Sequence, residues 1–139
     1  MSSNMYKFFV ICILLYANVT FAGEVKDINN QDLKELIQQG VAVIDVRATS
    51  EWQQTGIVEG SSLIMFYDEQ GKYDLNNWLT EVSKVANKDE LVVLICHSGS
   101  RSKQLAKYLT KVDGYKNVYN VQRGIAHWIR KNNSVVAPN

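Results

Sequence analysis

The sequence predicts an α/β fold, a central parallel sheet of about five strands flanked by helices on both faces. Three observations predict it. Short, near-continuous apolar runs at residues 41–46 and 91–95 have the composition of strands buried on both sides. Segments with helical apolar spacing alternate with such runs along the chain. No repeat, low-complexity stretch or Pro/Gly-rich linker divides the 139 residues, which contain one proline, so the alternation belongs to a single domain.

Taken in order, residues 25–28 form a brief strand, and Asn30 is placed to cap a helix with Leu33, Leu36 and Ile37 as its apolar stripe. Gly40 ends that helix. The run 41–46 is the first buried strand. Residues 47–60 are polar, carry Gly56 and Gly60, and predict a functional or connecting loop with one helical turn. Residues 62–66 are a further short strand. Asp74 caps a helix that buries Leu75, Trp78, Leu79 and Val82. The strand 91–95 leads straight into Cys96. From Arg101 onward, Leu105, Tyr108, Leu109 and Val112 recur at helical spacing, and Gly114 is a stop. Residues 118–121 are the last strand, and Gly124 opens a final helix with Ile125, Trp128 and Ile129 turned inward.

The first 22 residues stand apart from this pattern. Lys7 precedes an unbroken apolar run from Phe8 to Ala17, and Thr20-Phe21-Ala22 supplies the small residues of a cleavage site. This is the pattern of a secretory signal peptide over residues 1–22, and the run is short for a membrane span. The expected location is periplasmic or secreted, with no stable membrane anchor after cleavage. Cys12 lacks the small-residue run that precedes a lipidated cysteine. Cleavage leaves residues 23–139 as one domain, with 14 basic and 14 acidic residues and Cys96 as the only thiol. Such a balance gives no field for nucleic acid. One cysteine and two separated histidines make no convincing metal site.

A solitary thiol in an oxidising compartment is either reactive or an intermolecular bridge. The segment Cys96-His97-Ser98-Gly99-Ser100-Arg101-Ser102 favours the first reading. It lies between a buried strand and an amphipathic helix, where unpaired N–H groups and a partial positive charge favour thiolate over thiol. Ser98, Gly99 and Ser100 are small, and Gly99 tolerates positive φ, so the loop can curl its amides around an anionic sulfur. Arg101 adds a permanent charge and a planar donor fork suited to an oxyanion.

The pattern Cys96-x-x-Gly99-x-Arg101 resembles the active-site loop of the rhodanese-like sulfurtransferases. The resemblance covers nearly all of residues 23–139. Ile44-Asp45-Val46-Arg47 and Glu51-Trp52 match the family's first strand and the pair that often follows it. Gly56-Ile57-Val58-Glu59-Gly60-Ser61 falls where the family has Gly-His-Ile-x-Gly-Ala. Gly114-Tyr115-x-Asn117-Val118 and Gly124-Ile125-x-x-Trp128 match its C-terminal signature. Ile57 replaces a histidine, and Arg123 stands where a second glycine is common. The related cell-cycle dual-specificity phosphatases use a longer loop, with the arginine one residue further from the cysteine.

The resemblance implies a rhodanese-like fold and a thiosulfate sulfurtransferase of the double-displacement type. Cys96 would take a sulfane sulfur from thiosulfate or a similar anion, hold it as a persulfide, and pass it to cyanide, a thiol or a protein acceptor. His97, Ser98, Gly99, Ser100 and Arg101 would surround the donor, with Asp45 and Arg47 bracing the sheet end. It implies no metal or organic cofactor. Three other readings stand beside it: a persulfide carrier without turnover, a phosphatase or arsenate reductase on the same fold, and a homodimer linked through Cys96. His127 reads as a surface or half-buried residue, the series Lys103, Lys107, Lys111 as a solvated helix face, and Trp52, Met65 and Phe66 as core or pocket wall.

Overall fold

A computed structural model of the chain describes residues 23–139. The expected signal segment and Cys12 lie outside the described residues. The elements run β1 (Lys26–Ile28), α1 (Asn30–Gln38), β2 (Ala42–Asp45), α2 (Thr49–Thr55), β3 (Ser62–Leu63), α3 (Leu75–Val85), β4 (Leu91–Ile95), α4 (Ser100–Lys111), β5 (Asn117–Val121) and α5 (Gly124–Arg130). The five strands form one sheet in the order β1-β5-β4-β2-β3, and every pairing is parallel. Strand–helix alternation is the local cause: a parallel neighbour requires a crossover, and α1 to α4 each lie in one.

Two cores, one on each face, explain the continuous apolar runs. Along β4, Val92 and Leu94 join Trp78, Val82, Leu105 and Leu109 of α3 and α4. The alternate residues Val93 and Ile95 join Leu33, Ile125 and Trp128 of α1 and α5 on the other face. Along β2, Ile44 and Val43 divide in the same way. A strand covered on both sides favours apolar residues at consecutive positions. Cys96 falls in the α3/α4 layer, at the carboxyl end of β4 and facing the start of α4.

Several boundaries differ from expectation. The cap of α1 is Asn29, not Asn30: its side chain accepts from the Asp32 N–H while the Asp32 carboxylate accepts from the Asn29 N–H, a reciprocal capping box. α2 is a seven-residue helix rather than one turn, with Trp52 as its buried residue. A single apolar position gives too little periodicity to be read. β3 ends at Leu63, although the Ile64 and Phe66 amides still donate to the carbonyls of Asp45 and Val46 at 3.1 Å each. Val112 and Ile129 are exposed, not inward. Val112 is the C-cap of α4, and in α5 the sheet-facing stripe is filled by Gly124, Ile125 and Trp128. Among the described residues no helix is long and apolar enough to cross a membrane.

Candidate active site

The loop after β4 is shaped by what terminates one element and begins the next. Gly99 is the N-cap of α4 with φ 96°, and no cap side chain bonds the helix. Glycine is needed twice over: its backbone is left-handed, and a Cβ there would overlap the Gln122 carbonyl. Gly124 is its counterpart, with φ 60° and a Cβ position inside the backbone of Cys96 and His97. The Ile125 and Ala126 amides donate to the carbonyls of Cys96 and His97 at 2.9 and 3.0 Å, so α5 holds the loop from one side.

Within this frame the Cys96 sulfur does what a capping side chain would do. Sγ accepts from the Gly99 N–H at 3.1 Å and from the Ser102 N–H at 3.4 Å, two donors of the first turn of α4. The Ser102 hydroxyl lies 3.2 Å from the same atom. Cys96 is buried, while His97, Ser98 and Ser100 are exposed and Arg101 is half-buried, so the sulfur sits on the floor of the loop. Three donors converging on sulfur stabilise negative charge on it. The amides of Ser100 and Arg101 find no acceptor among the described residues. No hydrogen bond joins the His97 ring to the sulfur.

Arg101 has a partner. Its Nη1 and Nη2 donate to the two Glu51 carboxylate oxygens at 2.9 and 2.7 Å. The fork expected to face an oxyanion is closed on α2, so what Arg101 offers a donor is its charge, in part offset. Glu51 also accepts from the Ala48 N–H at 2.9 Å, which fixes the start of α2. Its pKa is lowered to about 2, first by the Arg101 bond, against burial, and then by the Ala48 amide. The unfolded carboxylate titrates near 4.5. The stability it adds is therefore present above about pH 4.5 and is lost as the pH falls toward 2. Glu51→Gln is expected to flatten that part of the acid limb, measured as urea midpoints at pH 3 and pH 6. An unchanged difference between the two pH values would show that the pair adds no pH-dependent stability.

Asp45 and Arg47 lie at the carboxyl end of β2. Both side chains are fully buried and joined at 2.8 Å. Arg47 also donates to Thr55 Oγ1 at 2.8 Å and to the Gly56 carbonyl at 2.9 Å, tying the end of β2 to the far end of α2. Trp52 and Phe66 are core residues. Arg123 comes to the same sheet end as Ser98: the two line an open groove of about 790 Å³ with Asn29, Gln122, His127 and Arg130. The pKa of His127 lies below the usual histidine value, through partial burial and the nearby Arg123, Arg130 and Lys131. Among the described residues no cluster of three or more His, Cys, Asp or Glu is placed to hold a metal ion.

Sequence reasoning missed Ser102, Asn120 and Asp27 as site residues, and it missed the partner of Lys103. Ser102 Oγ is 2.6 Å from Asn120 Oδ1, and Asn120 Nδ2 donates to Asp27 at 2.8 Å. Lys103 is not a merely solvated residue, because its Nζ pairs with the same Asp27 at 2.6 Å. One signal was available: Asn120 is an amide between Tyr119 and Val121 in a short strand, and a buried amide needs partners.

Comparison with known proteins agrees with this fold. The family model described as "Rhodanese-like domain" matches residues 29–131. Thiosulfate sulfurtransferase 18 of Arabidopsis thaliana is 31% identical over 114 residues, covering 79% of this chain and 82% of its own. Rhodanese-like domain-containing protein 17 of the same plant is 30% identical over 102 residues, covering 70% of this chain, which spans 64% of that protein's length. Among solved structures, a rhodanese-related protein from Thermoplasma volcanium superposes with a TM-score of 0.61 at 29% identity, covering 81% of this chain and 99% of its own. The matched span runs from the Asn29 cap through the Cys96 loop to the end of α5, and the chain belongs to the rhodanese-like domain family.

Proposed function

We propose that this chain is a sulfurtransferase that moves a sulfane sulfur from thiosulfate or a similar anion to cyanide or a thiol through a persulfide on Cys96. The observation that carries the reading is the Cys96 sulfur held by the amides of Gly99 and Ser102 and faced by the Ser102 hydroxyl. In the first step the thiolate attacks the outer sulfur of thiosulfate. A Sγ–S bond forms, the donor's S–S bond breaks, and sulfite leaves with the electron pair. The open amides of Ser100 and Arg101 suit the charge on the outer sulfur. In the second step the acceptor attacks that sulfur, and the Cys96 thiolate departs to its three donors. Arg101 and Glu51 hold the loop against α2 throughout. The name of the Arabidopsis relative Thiosulfate sulfurtransferase 18 is consistent with this substrate class.

The test is intact mass followed by cyanide. Thiosulfate should add the mass of one sulfur to the protein, and cyanide should remove it as thiocyanate with repeated turnover. A protein that gains no sulfur fails the proposal. One that gains sulfur but holds it against cyanide is a persulfide carrier, and hydrolysis of a chromogenic phosphate ester would favour the phosphatase reading. Residues 1–22 fit an export signal, for which the corresponding result is a mature chain beginning at Gly23.

A further inference from the structure

The chain of polar groups behind Cys96 is buried where it meets the sulfur: Ser102 and Asn120 are 0% and 1% exposed. A serine hydroxyl has one proton, and here it has two acceptors, Asn120 Oδ1 at 2.6 Å and Cys96 Sγ at 3.2 Å. The amide of Asn120 cannot turn to relieve the competition. Its Nδ2 donates to Asp27, and an ionised carboxylate only accepts. Asp27 is kept ionised by the bonds from Asn120 and Lys103, which lower its pKa. Asn120 therefore presents an oxygen to Ser102, whatever the state of the sulfur.

We propose that Asp27 and Asn120 are positioning residues that make the Ser102 hydroxyl follow the charge on Cys96. When the sulfur is uncharged, as thiol or persulfide, the Ser102 proton lies on the Asn120 bond. The serine oxygen is then free to accept the thiol S–H. When the sulfur is a thiolate, the proton turns to Sγ and becomes its third donor. Two oxygens 2.6 Å apart then face each other without a proton between them, a penalty borne by the thiolate alone. Asn120 so keeps the thiolate nucleophilic, since a thiolate stabilised further attacks more slowly. Uncharged sulfur, the persulfide included, is favoured by the same bond.

This inference rests on Cys96 as the reacting atom, and its test does not require sulfur transfer. The probe is iodoacetamide, and the reading is the rate of Cys96 alkylation against pH. Asn120→Leu leaves Ser102 with one acceptor, Sγ. The midpoint of the profile should move down by about half to one pH unit, the size of one hydrogen bond. The plateau rate should fall by about threefold if the midpoint moves a full pH unit. Asp27→Asn should move it the same way: Lys103 holds the new amide's oxygen, its nitrogen faces Asn120, and Asn120 turns its own nitrogen toward Ser102. Asn120→Leu leaves the charged groups near the sulfur unchanged: Arg101 with Glu51, the Asp45–Arg47 pair, and Lys103 with Lys107 beside Asp27; Asp27→Asn in addition takes one negative charge from Lys103.

Ser102→Ala supplies the control that a purely structural role would not pass. In that background Asn120→Leu should not shift the midpoint, because the hydroxyl it redirects is gone, and Asp27→Asn should keep only the part of its shift that comes from the lost charge. No shift in the single variants, an upward shift, or an equal shift without Ser102 overturns the proposal. A wild-type protein that alkylates as described but transfers no sulfur overturns the proposed function instead.

Discussion

Cys96→Ala is expected to reduce thiocyanate formation to the uncatalysed background and, separately, to cost the fold about 1 kcal/mol. The two effects have different causes, and Cys96→Ser separates them. The sulfur is both the atom that would carry the persulfide and the acceptor for the Gly99 and Ser102 amides at the start of α4. Alanine removes both roles, leaving first-turn donors inside the protein without a partner. A serine oxygen is a good acceptor for helix N-terminal amides, so Cys96→Ser should recover most of the lost stability. It should stay as inactive as alanine, because an un-ionised hydroxyl is a poor nucleophile toward sulfur. Urea midpoints and thiocyanate release read the two roles independently. Equal stability of the serine and alanine variants would show that the sulfur contributes nothing as a cap.

What was legible in the chain is what neighbours in sequence decide. β4 and β2 read as doubly buried strands because Val92 to Ile95 and Val43 to Ile44 are apolar at consecutive positions. The reactive loop was legible because a strand, a cysteine, a glycine and a helix follow one another within a dozen residues. Contacts between distant segments were not. Glu51 and Arg101 lie 50 positions apart, and Asp27 and Asn120 lie 93 apart. Nothing in local spacing says that Arg101 turns from the rim to α2, or that Ser102 meets an amide from β5. α2 escaped for a related reason: its position is set by Arg47 and Arg101 as much as by burial of Trp52. A helix held by ions leaves a weaker periodic trace than one held by an apolar stripe.

That dependence makes the Asp45–Arg47 pair the place where stability and function are joined most tightly. Arg47→Met should destabilise the protein by about 3–5 kcal/mol, because it leaves the fully buried Asp45 carboxylate without its countercharge. Arg47→Lys should recover only part of the loss, since an ammonium cannot reach Asp45, Thr55 and the Gly56 carbonyl at once. Asp45→Leu combined with Arg47→Met removes both charges. It should be more stable than Arg47→Met alone and still weaker than wild type, because Thr55 and Gly56 lose their donor. The functional consequence travels through α2. Arg47 anchors that helix at Thr55 and Gly56, and Glu51 on the same helix holds Arg101 at the Cys96 loop. The double variant, where it remains folded, should therefore transfer sulfur more slowly than wild type with Cys96, Ser102 and the loop amides all intact. Denaturation midpoints and kcat/KM for thiosulfate, measured on the same preparations, test the link. A double variant with wild-type kcat/KM would show that α2 holds Arg101 without help from Arg47.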